Sequence, residues 1–321
     1  MNIGLDLGYS EVKAKAKRRQ ARFASCVGTP DKARFSFSED SAGIVLVEPA
    51  HVLVGEQAVT QSRFVNRRED RSWIESDEYY YLALAALTEL TKATVAELRI
   101  VTGLPVAFYN DKGVLRNLLL GEHRAAREGR RAQVFKVTDC RVIPQPFGAL
   151  LAESLDDQGN VADKELATGN VGVIDVGGKT TNLLSVSRLS EIGRETASVS
   201  IGAWDVVRAV RDWLADHCPN LELRDHQIVS AIIAREVEYY GEPVNLEPVV
   251  DTALGPMAEQ VIAQATQLWN GGAGLRAILV SGGGAHLLGP AIQAHFRHAR
   301  VVEEPVFANA IGYWKFAQHL G

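Results

Sequence analysis

The sequence predicts an α/β protein made of two duplicated halves with mixed sheets. Short apolar runs of strand type alternate with segments of helical spacing, as α/β architectures require. A strand running into Asp-x-Gly occurs twice, at Asp6-Leu7-Gly8 and at Asp175-Val176-Gly177. A chain of 321 residues is also long enough for two domains, each with its own core. Duplicated halves facing one another would leave a cleft in which the two acids meet.

The elements follow in order. Asn2 to Leu7 is a strand, and Lys13 lies on the next one. Residues from about 29 to 71 mix short strands with polar loops, hold the charge cluster Arg67-Arg68-Glu69-Asp70-Arg71, and read as a peripheral insertion. Apolar residues at Leu82, Leu84, Ala86, Leu87 and Leu90 predict a helix across Tyr79 to Leu98, followed by a strand from Leu98 to Leu104 that Pro105 ends. A helix over Asp111 to Leu120 comes next, then a strand pair or one bent strand over Gln133 to Ile143. Pro144-Gln145-Pro146 breaks the chain before a small-residue helix, Phe147 to Ser154, and the polar turn Asp156 to Asn160 marks the first boundary. The second half begins with the Asp175 strand and a hairpin over Leu183 to Glu195, then the turn at Gly202. Helices are expected at Trp204 to His217, Asp225 to Val237 and Leu246 to Trp269. The last expected strand, Ala277 to Val280, runs into Ser281-Gly282-Gly283-Gly284 and a helix over Ala285 to Phe296.

Composition narrows the function. With 46% apolar and 23% charged residues the chain is an ordinary globular one. A net charge of −5 argues against direct nucleic-acid binding, and the basic cluster His123, Arg124, Arg127, Arg130 and Arg131 reads first as a solvated helix end. Cys26, Cys140 and Cys218 are odd in number, far apart and in no C-x-x-C pair, which fits a reducing compartment. The N-terminus has no signal-peptide pattern, and no run approaches the ~18 apolar residues of a membrane span. No membrane anchor is evident, since Trp314-Lys315-Phe316 is short and expected to pack. A cytoplasmic protein is therefore expected.

Gly178-Lys179-Thr180 invites a P-loop reading, but the glycine that motif needs five residues upstream of Gly178 is Val173, inside an apolar strand. What remains is another phosphate device. Glycines just past a strand end let backbone N–H groups approach an anion closely. An Asp there would repel bare phosphate, but becomes favourable when a hydrated Mg²⁺ lies between them. Lys13 can add a point charge. The triplet Gly282-Gly283-Gly284 can lie flat against a purine or ribose.

Asp6-x-Gly8 with Lys13, Pro144-Gln145-Pro146, Asp175-x-Gly177-Gly178-x-Thr180, Ser281-Gly282-Gly283-Gly284 and Glu304-Pro305-x-x-Ala308-Asn309-Ala310-x-Gly312 resemble the five ATPase signatures of the actin, sugar kinase and heat-shock chaperone superfamily, in the family order. Val101-Thr102-Gly103-Leu104-Pro105-Val106 and Phe307 to Tyr313 are similar to stretches of prokaryotic actin-like proteins of the ParM/StbA type and their archaeal relatives. The resemblance implies an actin-like ATPase fold with two domains around a nucleotide cleft: residues 1–158 completed by 305–321, and residues 159–304. It implies ATP or ADP with Mg²⁺, the metal held by Asp6 and Asp175. Gly8, Tyr9, Ser10, Lys13, Gly177, Gly178, Lys179 and Thr180 would cradle phosphates; Gly202, Gly282, Gly283 and Gly284 would complete the nucleotide site; and Gln145 would orient the attacking water. The resemblance does not place the adenine contacts: Glu236 and its neighbours on the Asp225 to Val237 helix are one candidate, and they read first as a solvated helix face.

Two departures stand out: Lys179 replaces a common Gly or Thr, and Asn182 replaces a common acid. A sugar kinase would need further catalytic and sugar-binding acids, and a chaperone a substrate-binding domain, whereas Gly321 follows directly on the last signature. The expected function is thus an ATPase assembling into cytoskeletal or DNA-segregating filaments, with itself and a possible segregation adaptor as partners. A monomeric ATP-binding adaptor of the same fold is the alternative.

Overall fold

In the computed structural model, residues 1–30, 44–62, 65–66 and 71–320 are described. Arg67 to Asp70 of the charge cluster lie outside them. The chain divides into two units, Met1–Thr168 with Val302–Gly321, and Gly169–Val301.

The first unit opens with the apolar run as β1 (Asn2–Leu7), then β2 (Glu11–Ala16), β3 (Arg19–Ala24), β4 (Val27–Gly28), β5 (Ile44–Glu48), β6 (Val52–Val54), α1 (Glu56–Gln61) and β7 (Val65–Asn66). It continues with α2 (Asp77–Leu90), β8 (Val95–Leu104), α3 (Lys112–Leu119), β9 (Gly121–Arg127), β10 (Gln133–Pro144), α4 (Phe147–Ser154) and α5 (Lys164–Thr168). Its sheet runs β3-β2-β1-β8-β10-β9-β5-β6-β4-β7. Ser76 caps α2 by accepting from the Tyr79 N–H, which fixes where that helix starts. Its apolar residues Leu82, Leu84 and Leu87 are buried in one core with Ile3, Leu5 and Ile100.

The second unit comprises β11 (Asn170–Val176), β12 (Thr181–Ser187), β13 (Ser190–Glu191), β14 (Ala197–Val199), α6 (Ala203–His217), α7 (Asp225–Ala234), β15 (Glu236–Tyr239), β16 (Glu242–Asn245), α8 (Glu247–Leu268), β17 (Ala277–Ser281), α9 (Ala285–His295) and β18 (Ala299–Val301). Its sheet runs β13-β12-β11-β17-β18, with β14 also on β12. The chain then returns to the first unit as α10 (Ala308–Phe316).

The duplication is visible in the pairing. β1 is antiparallel to β2 and parallel to β8, and β11 is antiparallel to β12 and parallel to β17. In each unit the strand ending in Asp-x-Gly is thus central and buried, with its glycine turn at the carboxyl end. The last signature of the sequence explains itself in packing. A Cβ on Gly4 would lie 2.0 Å from the Ala310 carbonyl oxygen, and one on Gly312 would lie 1.8 Å from that of Gly148. These glycines let α10 touch β1 and α4 backbone to backbone.

Several expectations are corrected. α2 stops at Leu90 rather than Leu98, because residues from Val95 pair in parallel with β10; pairing overrides the helix formers Ala96, Glu97 and Leu98. β10 is the single bent strand, its register shifting between Val137 and Asp139. α7 ends at Ala234, where Arg235 turns left-handed at φ 60°, and Glu236 and Val237 belong to a hairpin instead. Ala277–Ser281 is not the last strand, since β18 follows in parallel. The basic cluster is no helix end: His123, Arg124 and Arg127 sit on β9. Arg127 is buried and ion-paired to Glu89, Arg124 pairs with Glu48 at 2.8 Å, and the His123 ring stands 3.0 Å from the Tyr80 hydroxyl. Burial pushes the Arg127 guanidinium down to about 10, with Arg130 adding to the fall. None of the three cysteines is in a disulfide, and all are buried. Among the described residues no helix is long and apolar enough to cross a membrane.

Candidate functional site

In the first unit, β1 delivers Asp6 to its buried carboxyl end, where 4% of the residue is exposed. Register places Lys13 of β2 directly across from it, and Lys13 is itself buried, its ammonium 3.8 Å from Glu11. The turn between the strands is tight: the Gly8 N–H donates to the Glu11 carbonyl at 3.1 Å, and the Ser25 hydroxyl donates to the Gly8 carbonyl at 2.5 Å. A Cβ on Gly8 would come 3.9 Å from the Lys13 Nζ, so the cation lies beside the turn. Tyr9 packs its ring 6.3 Å from that of Trp73. The Ser10 hydroxyl is buried and has no hydrogen-bond partner. A buried hydroxyl without a partner carries a desolvation cost that a bound oxyanion would remove.

Gln145 joins this cluster from the end of β10. Its side-chain amide donates to Asp6 Oδ1 at 2.7 Å. Its main chain is held on three sides: the N–H donates to Leu104, and the carbonyl accepts from the Gly148 N–H and from the Tyr313 hydroxyl at 2.9 Å. Burial pushes the Asp6 carboxyl above its ordinary value, while Lys13 and the Gln145 amide pull it down and Glu11 adds to the rise. The buried Tyr79 phenol is raised well above its usual range, by burial first and then by the Asp6 charge.

In the second unit three turns converge on Asp175, which is 4% exposed. Gly177 to Thr180 closes on itself, the Gly177 N–H donating to the Thr180 carbonyl at 2.9 Å. Gly202, at the start of α6, stacks on it: a Cβ there would lie 2.2 Å from the Gly178 carbonyl oxygen, and the N–H groups of Ala203 and Trp204 donate to Gly177 and Gly178. The third turn carries Gly282 at φ 88°, where a Cβ would meet the Val176 carbonyl at 2.3 Å and Asp175 Oδ1 at 2.6 Å. Gly284 donates its N–H to the Val176 carbonyl and presses on the Val176 side chain, whereas nothing lies within 4 Å of a Cβ on Gly283. Gly177, Gly178, Lys179 and Thr180 are half-buried.

The structure therefore brings Asp6, Gly8, Ser10, Lys13 and Gln145 together in one unit, and Asp175, Gly177, Gly178, Gly202, Gly282 and Gly284 in the other. Glu236 is not among them; it lies on the β15 hairpin. Sequence reasoning placed Ser281 in a signature but gave it no task, and its hydroxyl donates to Asp175 Oδ1 at 3.3 Å; it missed Ser25, which ties down the Gly8 turn. It also missed why Asn182 can replace an acid. The amide oxygen accepts from the Ser198 hydroxyl at 2.6 Å across the β12–β14 pair, so the residue is satisfied within the sheet. Among the described residues no cluster of three or more His, Cys, Asp or Glu could cage a metal alone. A buried carboxylate at the end of β1, and another at the end of β11, each suit a cation that keeps most of its water.

Comparison with known proteins decides the family. Residues 4–148 match the N-terminal domain of actin-like proteins, and residues 173–294 match the C-terminal domain of the archaeal MreB-like actin homologue. The chain belongs to the actin-like proteins. Ta0583, an archaeal actin homologue, matches this actin-like chain with a TM-score of 0.84 at 21% identity, covering 100% of both chains. A non-polymerisable quadruple mutant of pCBH ParM matches at 0.81 and 22%, covering 99% of this chain and 98% of that one. A ParM from Clostridium botulinum, solved as a 15-stranded filament, matches at 0.80 and 22% over the same shares, 99% and 98%. At such identities the likeness is one of fold, the actin-like fold. A comparison with curated proteins finds no match.

Proposed function

We propose that this actin-like protein binds Mg-ATP through its two Asp-x-Gly turns, hydrolyses it, and self-assembles into filaments. The observation that carries the reading is the Gln145 amide bound to the buried Asp6 beside a glycine turn that holds a partnerless hydroxyl. The neighbours support it: one Ta0583 structure is a complex with ADP, and both the C. botulinum ParM and Alp12 are described as filaments. By the same likeness a cytoplasmic role in positioning DNA through an adaptor is the finer reading.

Each residue then has a task. Ser10 and Lys13 on one side, and Gly178, Lys179 and Thr180 on the other, would present N–H, hydroxyl and ammonium donors to phosphate oxygens, while Gly8 and Gly177, whose own N–H groups close their turns, let the phosphate approach. Gly202 and Gly282 shape the second turn, and Gly283 leaves room for the nucleoside. Asp6 and Asp175 are the residues that would hold a hydrated Mg²⁺, and the ion would supply charge neutralisation for phosphoryl transfer when bound. By donating to Asp6, the Gln145 amide leaves its own oxygen to accept a hydrogen bond from water. The task is to orient the nucleophile; a strong base is not needed.

The test is phosphate release by the Asp175→Ala variant. Loss of Mg-ATP hydrolysis in a folded variant is the expected result, and unchanged turnover would remove the assignment.

A further inference from the structure

The strands that carry Asp6 and Lys13 also set two like charges side by side. Register puts Lys13 of β2 opposite Asp6 on β1 and opposite Arg22 on β3, so the three side chains form one row on one face of the sheet. Asp6 and Lys13 are buried, and the Arg22 side chain is half exposed. Cations directly opposed across a strand pair repel. By charge alone, the Lys13 ammonium should turn away from Arg22 and close on Asp6.

It does not. The ion-pair partner of Lys13 is Glu11, whose Oε2 lies 3.8 Å from the ammonium, and the cation stands beside the Gly8 turn, 3.9 Å from the place a Gly8 Cβ would take. Glu11 precedes Lys13 by two residues on β2, so it shares the same face, one step nearer the turn and diagonal to both Asp6 and Arg22. Glu11 is itself clamped. The Arg22 Nε donates to both of its carboxylate oxygens at 3.1 Å, and Nη2 donates to Oε1 at 2.8 Å. A guanidinium fork fixes both the position and the plane of a carboxylate. The Glu11 main chain is fixed as well, because its carbonyl accepts the Gly8 N–H that closes the turn. At 3.8 Å the carboxylate attracts the ammonium without forming a hydrogen bond, so Lys13 keeps its N–H donors for another acceptor. Asp6 accepts the Gln145 amide on Oδ1 and is spared the ammonium.

We infer that Glu11 is a positioning residue of the nucleotide site: clamped by Arg22, it holds the Lys13 ammonium at the glycine turn, where phosphate would meet it, and off Asp6, which stays open to a hydrated divalent cation. The inference rests on the Mg-ATP reading above. Without the Glu11 charge the ammonium would close on Asp6, and a cation could reach that carboxylate only by displacing a buried ion pair.

Two measurements on full-length Glu11→Gln test it; the amide keeps the size of the side chain and an oxygen for Arg22. In a crystal structure of the nucleotide-free variant, the Lys13 Nζ should lie within about 3.2 Å of an Asp6 oxygen. An ammonium still beside Gly8 would overturn the inference. In calorimetric ATP titrations over a series of Mg²⁺ concentrations, the Mg²⁺ concentration giving half of the full gain in ATP affinity should rise at least about fivefold. That rise should be absent when Glu11→Gln is added to Lys13→Met, since a coupling carried by the ammonium cannot outlast it. An equal rise with and without Lys13 would mean that Glu11 acts on the cation directly, and would overturn the positioning role. An unchanged Mg²⁺ requirement in Glu11→Gln would do the same and leave the Mg-ATP reading standing. Wild-type protein that binds no ATP at any Mg²⁺ concentration would overturn that reading and the inference with it.

Discussion

Gln145 and Asp6 lie 139 residues apart in sequence, and their side chains meet at 2.7 Å. The contact exists because β1, β8 and β10 run parallel, so that the end of β10 arrives beside the end of β1. It links the residue proposed to orient water with the carboxylate proposed to hold the metal.

Replacing Gln145 by Ala should slow Mg-ATP hydrolysis by about 10–100-fold, a barrier change of roughly 1.4–2.7 kcal/mol. Its main-chain bonds to Leu104, Gly148 and Tyr313 survive the change. ATP affinity should therefore be nearly unaltered. Single-turnover phosphate release beside equilibrium binding measures both; loss of binding would assign Gln145 a structural role instead.

Asp6 pits function against stability. Its carboxyl is raised in the folded state, chiefly by burial, so the fold favours the protonated form. A raised acid contributes stability that is fully present below its unfolded value and is lost as pH rises through the folded one. At neutral pH the buried charge is a liability, which Asp6→Asn removes while keeping a partner for Gln145. The variant should melt at the same temperature or higher at pH 7, with the advantage shrinking as the pH falls. Hydrolysis should be lost. Calorimetry at pH 7 and at lower pH checks the sign.

Neighbouring glycines of the third turn should behave oppositely. Gly282→Ala demands a Cβ 2.3 Å from the Val176 carbonyl at a φ of 88°, and should destabilise the second unit by roughly 1–3 kcal/mol. Gly283→Ala meets nothing within 4 Å and should fold normally. If that open space receives the nucleoside, Gly283→Ala should nonetheless weaken ATP binding. Denaturant melts and nucleotide titration of the two variants separate packing from contact.

How much of this could be read in the sequence depended on range. The α/β class and the helices over Phe147–Ser154 and Ala203–His217 follow from local periodicity, which those segments obey. An acid between an apolar strand and a glycine is equally local, so Asp6 and Asp175 could be singled out. The Gly202 approach to Gly178, the Ser281 bond to Asp175 and the Gln145 bond to Asp6 depend on sheet order, which leaves no local trace. The three-residue β18 is too short to show a period. Residues 95–98 have helical composition and become strand only because β10 is there to pair with them.

The measurement that bears most directly on the central claim is right-angle light scattering of the purified chain after addition of Mg-ATP, with phosphate release followed in the same cuvette. A rise in scattering above a critical concentration, with phosphate appearing afterwards, is the predicted result. Flat scattering across concentrations and salts, with ATP bound but not hydrolysed, would contradict it and describe a monomeric nucleotide-binding adaptor.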